Sequence, residues 1–157
     1  MKKLLFTIPL LFLGCSFTNT SHKVKEFTKC YVHQMPAPFW VCYQSSFLSV
    51  GKVHADKLTR LKQEEAYSLG VSDLIAKLQM KTKLFLRKFN IKDGKIDDAV
   101  KDFVILNAIQ GDSWYNEKEH MIYTQVQVDK KEFEKFLKSR YPKLDEKEFK
   151  SVFDETF

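Results

Sequence analysis

Helical periodicity dominates the middle of this chain. From Ala55 to about Phe89 there is no proline, and apolar residues recur at roughly helical spacing. This spacing places them on one face of a helix; they are Leu58, Leu61, Leu69, Leu74, Ile75, Leu78, Phe85 and Phe89. We therefore predict one long amphipathic helix, in which Gly70 marks a kink or a close packing contact.

Strand patterns occur on both sides of that helix. A run rich in Val, Phe and Ser predicts a strand from Phe47 to Val53, and two further runs, Ile105 to Tyr115 and Met121 to Val128, flank a polar turn. In the last run, one alternating set is Ile122, Thr124, Val126 and Val128, and the other is Tyr123, Gln125 and Gln127. The alternation predicts an antiparallel hairpin with one covered and one wetter face.

Shorter helices are predicted in the second half of the chain. Asp129 with Glu132, and Asp145 with Glu148, resemble capping boxes that begin helices on either side of Pro142. Another helix is indicated by the spacing of Ile96, Val100, Phe103 and Val104. The predicted fold class is α+β: a small antiparallel sheet of about three strands packed against one long helix and shorter C-terminal helices.

The first residues have the pattern of a lipoprotein signal peptide. Lys2 and Lys3 precede an apolar run from Leu4 to Leu13, which is shorter than the roughly 20 residues that a membrane-spanning helix needs. The run ends in Leu11-Phe12-Leu13-Gly14-Cys15, which resembles the lipobox of lipoprotein signal peptidase. We predict a signal peptide at 1–14 and lipid attachment to Cys15; an ordinary signal peptide cleaved elsewhere is the alternative.

The chain after the signal peptide divides into a tether and a folded domain. We predict the lipidated Cys15 and a polar tether over 15–35, then a single domain over 36–157 with a helical tail at 142–157. The residue after Cys15 is Ser16, whereas an aspartate at that position often retains lipoproteins in the inner membrane. The predicted location is therefore the cell outer membrane, lipid-anchored, with exposure at the cell surface as one arrangement.

Charge gives little indication of a nucleic-acid partner. Removing Lys2 and Lys3 from the 26 basic residues leaves 24 against 20 acidic residues, a net charge of +4. The basic groups are interleaved with acids, so we expect solvated helix faces. These groups are Lys77, Lys81, Lys83, Arg87 and Lys88, and Lys130, Lys131, Lys135 and Lys138. A weak contact with an anionic surface or nucleic acid is the alternative.

Two cysteines remain after Cys15. Export would bring Cys30 and Cys42 into a compartment that permits disulfides, and we predict a bridge between them. A metal site that combines them with His33 lacks a fourth ligand at a recognisable spacing. Two unpaired thiols are the third alternative.

No catalytic pattern is recognisable in the sequence. It contains no Gly-rich phosphate loop, zinc-protease motif, serine-hydrolase elbow or Cys-x-x-Cys pair. The adjacent acids Glu64-Glu65 and Asp97-Asp98 point in different directions on a helix, and we expect them to be solvated. Trp40 and Trp114 are expected in the core. We predict a protein that is not an enzyme, with no catalytic residue, metal or other cofactor.

Four segments together resemble a known family. Pro38-Phe39-Trp40-Val41 is similar to its Pro-x-Trp opening, and Val50-Gly51-Lys52-Val53-His54-Ala55 to its glycine-containing strand before a long helix. Gly111-Asp112-Ser113-Trp114 and Tyr123-Thr124-Gln125-Val126-Gln127-Val128-Asp129-Lys130 are similar to its last two strands. From Pro36 to Leu137 the chain thus resembles the Helicobacter "Lpp-twenty" lipoprotein antigen family, which includes the flagellar lipoprotein FlgP of related bacteria.

That resemblance implies a membrane-attached or surface-exposed protein without enzymatic chemistry. Some members are antigenic, and some are parts of flagellar assemblies. The chain departs from the family in having few alanines in its long helix and in adding the tail from Pro142 to Phe157.

The expected function is a structural or interaction role for a lipid-anchored envelope protein. Its partners would be membrane lipid through the acylated Cys15, and an envelope protein or a second copy of the chain. The stripe of Phe149, Phe153 and Phe157 packs on its own domain, which we favour, or forms a contact surface for the partner. The alternative function is a secreted or surface module that binds nucleic acid or a host receptor.

Overall fold

The computed structural model describes residues 29–157, and these residues have the predicted α+β fold. The predicted signal peptide and Cys15 lie outside the described residues. In chain order the elements are β1 (Tyr31–Val32), β2 (Met35–Pro36), α1 (Phe39–Cys42), β3 (Leu48–His54), α2 (Arg60–Lys88), α3 (Ile96–Asn107), β4 (Ile109–Asn116), β5 (Met121–Gln127), α4 (Lys130–Arg140) and α5 (Glu146–Thr156). Strands β1 and β2 form a small hairpin, and the other three form an antiparallel sheet in the order β3-β5-β4. Strands β3 and β4 are therefore the edges of the larger sheet.

Helix α2 packs on the larger sheet at a point where β3 and α2 each have a glycine. Gly51 of β3 lies so close to Ala66 of α2 that a Cβ atom built on Gly51 would overlap the Ala66 carbonyl oxygen. A Cβ atom on Gly70 would meet a methyl group of Val126 at 2.5 Å and the Gly51 nitrogen at 2.9 Å. Gly70 is thus a close packing contact, and α2 continues through it without interruption.

Alternation along the strands determines which side chains face α2. The buried set on β3 is Ser49, Gly51 and Val53, and their neighbours Ile122, Thr124 and Val126 on β5 are also buried. Residues between them point to the opposite face, because successive side chains of a strand alternate. That face is wetter, as predicted, although it includes the buried Tyr123.

Both ends of α2 are fixed by local hydrogen bonds. Thr59 accepts the Lys62 backbone N–H at 3.3 Å, so the helix begins at Arg60 and not at Ala55 as predicted. At the other end Asn90 has a positive φ of 55° and the Ile91 N–H bonds back to the Leu86 carbonyl at 3.0 Å. This reversal is a common way for a helix to end.

Phenylalanine rings fill the space between α2 and the C-terminal helices. Phe149 and Phe153 are 1% and 0% exposed, and their rings lie 5.2 and 6.4 Å from the ring of Phe85 on α2. Phe157 lies 5.7 Å from Phe47, which precedes β3. The C-terminal stripe therefore packs on its own domain, the favoured alternative. As a contact surface for a partner, Phe149 and Phe153 would first have to leave the core.

The boundary between α3 and β4 differs from the prediction. Residues 105–107 extend α3, and β4 begins at Ile109 and not at Ile105. Val100 and Val104 are both buried on one side of the helix, and the Ala108 N–H still bonds to the Val104 carbonyl at 2.8 Å. The predicted start was wrong because a short apolar run has the same pattern in a helix and in a strand.

The start of the fold also differs from the prediction. Hairpin β1–β2 and helix α1 are too short to produce a periodic pattern. The hairpin begins at Tyr31, inside the segment 15–35 that we predicted as a tether. Trp40 and Trp114 are half-buried and lie outside the core in which we expected them.

Asp93, in the loop between α2 and α3, holds the end of α4. Its Oδ2 accepts hydrogen bonds from Arg140 Nε and the Tyr141 hydroxyl, both at 2.8 Å, and its Oδ1 accepts the Lys95 N–H at 2.9 Å. The hydrogen bond from Arg140, followed by those from Lys95 and Tyr141, lowers the pKa of Asp93 from 3.8 to about 2. Because the pKa is lower in the folded state, the stabilisation is present above about pH 4 and is lost as the pH falls towards 2.

Replacing Gly51 by alanine is expected to destabilise the domain by about 3 kcal/mol or more, because the methyl group would overlap the backbone of α2. Gly94→Ala is the matched control, since nothing lies within 4 Å of a Cβ atom there and its φ is not positive. We expect it to change stability by less than about 0.5 kcal/mol. Urea unfolding measures both variants, and equal stabilities would contradict the close approach.

Replacing Asp93 by asparagine is expected to lower the free energy of unfolding at neutral pH by about 1 kcal/mol, a value discounted for partial solvent screening. The difference from the unmodified chain should shrink as the pH falls from about 4 towards 2, where the carboxyl group becomes protonated in both states. Asp102→Asn, on the exposed side of α3, is the control. A difference that persists unchanged at the lowest pH would be evidence against this role.

Candidate functional site

A disulfide closes a small module at the start of the described chain. This N-terminal module, residues 30–43, contains hairpin β1–β2 and helix α1. The sulfur atoms of Cys30 and Cys42 are 2.07 Å apart, so the predicted bridge is confirmed in the structure. The Ala37 N–H also bonds to the Cys30 carbonyl at 2.9 Å. As for the metal alternative, residues 29–157 contain no group of three or more His, Cys, Asp or Glu side chains placed to hold a metal ion.

The N-terminal module is attached to the sheet through Glu119, in the turn between β4 and β5. His33 Nε2 lies 2.8 Å from Glu119 Oε1. The other carboxylate oxygen accepts the Tyr123 hydroxyl at 2.8 Å and the Asn116 side-chain amide at 2.7 Å. Burial, followed by the hydrogen bond to Glu119, raises the pKa of Tyr123 to about 12. Tyr123 therefore remains a neutral hydrogen-bond donor at physiological pH.

A groove of about 630 Å³ lies between the N-terminal module and helix α2. Val41 and Tyr43 come from the module, Lys77 and Lys81 come from α2, and the stretch 48–50 with Lys52 comes from edge strand β3. The groove thus combines apolar side chains with lysines beside an edge of the sheet. We call it the β3 groove.

The register of β3 directs part of its backbone into the β3 groove. Val128 donates to the Phe47 carbonyl at 3.1 Å, and Ala55 donates to the His120 carbonyl at 2.8 Å. Residues of an antiparallel strand alternate between groups that face the partner strand and groups that face away. Odd-numbered residues of β3 therefore bond to β5, and Val50 and Lys52 turn their N–H and C=O groups outwards. Within residues 29–157, no group bonds to these outward atoms.

Two lysines of α2 lie along the β3 groove and bond to carbonyl oxygens. Lys77 Nζ donates to the Leu48 carbonyl at 2.8 Å, and Lys81 Nζ donates to the Thr156 carbonyl at 2.7 Å. They are four positions apart and so occupy the same side of the helix. Lys77 Nζ is thereby fixed beside β3, and Lys81 Nζ is fixed beside the end of α5.

The β3 groove has an excess of positive charge. Lys52 is its third lysine, with Nζ 5.4 Å from the ring centre of Tyr123. Among the lining residues, Asp73 provides the one carboxylate side chain. It lies 3.8 Å from Lys77 Nζ, and its Oδ2 also accepts the Ser49 hydroxyl. Three lysines against one carboxylate give these side chains a net charge of +2.

Sequence patterns identify only part of this site. Cys30 and Cys42 were singled out, and the structure brings them together. We predicted that Lys77, Lys81 and Lys83 lie on a solvated helix face. This is correct for Lys83, which pairs with Asp97, but not for Lys77 and Lys81, which line the groove. The i, i+4 spacing of those two is a signal in the sequence. It cannot show which strand they face.

Three of the four adjacent acids considered as catalytic candidates form ion pairs. Glu64 lies 2.8 Å from Arg60 and Glu65 lies 2.7 Å from Lys62, and both glutamates are exposed as predicted. The second pair is less solvated than expected, because Asp97 is half-buried with Lys83 at 2.6 Å.

Comparison with other proteins does not assign a family. No protein-family model matches the chain, and no curated protein sequence matches it. Between residues 29 and 157, no helix has the length and apolar character that crossing a membrane requires.

We expect Cys30 and Cys42 to resist alkylation in the native protein and to react after reduction, which mass spectrometry would show. Replacing both by serine should lower the free energy of unfolding by about 2 to 3 kcal/mol, because the bridge restricts the unfolded chain. The single variant Cys42→Ser is a useful companion, since it leaves one thiol to be labelled at Cys30. Two thiols that react without reductant would contradict the bridge.

Proposed function

We propose that this protein is a non-enzymatic lipoprotein, anchored in the outer membrane by acyl chains on Cys15, with a structural or interaction role in the cell envelope. The observation that carries the proposal is the disulfide between Cys30 and Cys42. Disulfides persist in oxidising compartments and are rare in the cytosol. The basic start, the apolar run and the lipobox at 11–15 would supply the route to such a compartment.

The position of Cys15 along the chain supports a role close to the membrane. Fifteen positions separate it from Cys30. A chain of that length spans at most about 50 Å when fully extended. A domain tethered in this way would remain within that distance of the lipid, and its partners would be membrane components or proteins of the same envelope layer.

Exposed aromatic side chains on the N-terminal module support action by contact. Tyr31, Phe39 and Tyr43 are 54%, 43% and 48% exposed. Large aromatic side chains of this kind contribute strongly to protein interfaces when a partner covers them. The resemblance to the lipoprotein antigen family agrees with such a role, since some of its members are parts of flagellar assemblies.

Replacing Cys15 by serine is expected to abolish labelling with palmitate and to leave the unprocessed precursor, because the thiol that would carry the lipid is removed. The double variant Cys30→Ser, Cys42→Ser is the matched control and should remain labelled. Gel mobility and radiolabel incorporation in the native host measure both outcomes. Palmitate on the Cys15 variant, or none on the unmodified chain, would refute the anchor.

A further inference from the structure

We infer that the β3 groove binds an extended, acidic segment of a partner protein, which adds to the sheet as a further strand beside β3; this deepens the proposed function and rests on it. The inference depends on two independent properties of the groove, its unpaired strand backbone and its charge.

The backbone of β3 provides the docking groups. Val50 and Lys52 turn their N–H and C=O groups into the groove, and no group in residues 29–157 bonds to them. Donors and acceptors that alternate along an edge match the backbone of another extended chain. A polypeptide in strand conformation can therefore pair with all of these groups at once.

Charge determines which polypeptide fits. Lys52, Lys77 and Lys81 surround the groove, and Asp73 is the carboxylate side chain among its lining residues. If an α-carboxylate at Phe157, which also lines the groove, is counted as well, the lysines still outnumber the carboxylates. An incoming segment that carries Asp or Glu side chains would neutralise this excess.

The same charges disfavour other occupants. A second copy that paired through its own β3 would bring the lysines of two β3 grooves to the same edge, and charged side chains at an edge are a usual protection against such pairing. The segment before the described residues is itself basic, with Lys23 and Lys25 against Glu26. A nucleic acid would satisfy the lysines but lacks a backbone with alternating donors and acceptors in strand register.

The test is a binding measurement on the full chain, purified in detergent micelles. The probe is a fluorescent peptide that alternates Glu with Val, and a peptide that alternates Lys with Val is its control. We expect binding of the acidic peptide, at least about tenfold tighter than that of the basic one, with affinity falling as salt rises. Lys52→Glu should weaken it about tenfold, and Lys147→Glu, on α5 outside the groove, should not.

A second pair of variants separates strand addition from simple charge attraction. Val50→Pro removes an outward N–H that β5 does not use, a change that edge strands tolerate, and Val50→Thr retains that N–H. We expect roughly fivefold weaker binding for the proline variant and unchanged binding for threonine. Melting curves verify the fold of both, and hydrogen exchange should show new protection of the Val50 and Lys52 amides when peptide is bound.

Several results would overturn the inference. These are equal affinity for both peptides, no effect of Lys52→Glu, amide protection at another surface, an oligonucleotide that binds more tightly than the peptide, or self-association that Val50→Pro removes. Palmitate labelling of Cys15 in the same preparation separates the two proposals. Labelled protein that fails to bind the acidic peptide refutes the binding role of the groove but not the lipid anchor. Unlabelled protein that binds the peptide refutes the anchor but not the binding role of the groove.

Discussion

The backbones of strand β3 and helix α2 touch through Gly51, Ala66 and Gly70, and the positions of the other elements follow from this contact. A side chain at either glycine would push the helix away from the sheet, because it would overlap backbone atoms, which cannot rotate aside as the end of a flexible side chain can. With the helix this close, its following turns continue along the edge of the sheet. Lys77 thus reaches the carbonyl of Leu48 at 2.8 Å, and the β3 groove exists because helix and strand edge remain side by side.

The C-terminal helices hold the start of β3 in the same core that α2 covers. Phe47, just before β3, lies 5.8 Å from the ring of Phe133 on α4 and 6.3 Å from that of Phe153 on α5. The Ser46 hydroxyl bonds to the Phe157 carbonyl at 2.7 Å. The chain that leads into the edge strand is therefore fixed by helices more than 80 positions later, which explains how a strand with a free edge can remain ordered.

Local signals in the sequence were sufficient for most of the fold. The long helix and the hairpin have clear periods, and the Asp129 and Asp145 side chains accept the N–H groups that begin α4 and α5. The candidate site was largely not predictable, because it depends on which strand becomes an edge and on which lysines face it. Lys52 lies on the opposite face of the sheet from Gly51 in any register, but only the tertiary contact with α2 makes it line the same groove as Lys77. No local pattern specifies that pairing.

Partial burial of lysines gives a further reason to regard the groove charge as unusual. Within residues 29–157, four lysines are half-buried: Lys62, Lys77, Lys81 and Lys138. Three of them lie within 4.0 Å of a carboxylate, whereas Lys81 bonds to a carbonyl oxygen. A carbonyl dipole offsets less of the desolvation cost of an ammonium group than a carboxylate does. The domain therefore holds a partly desolvated lysine in the lining of the β3 groove. An incoming carboxylate would gain more there than at a fully solvated lysine, because partial burial reduces the screening.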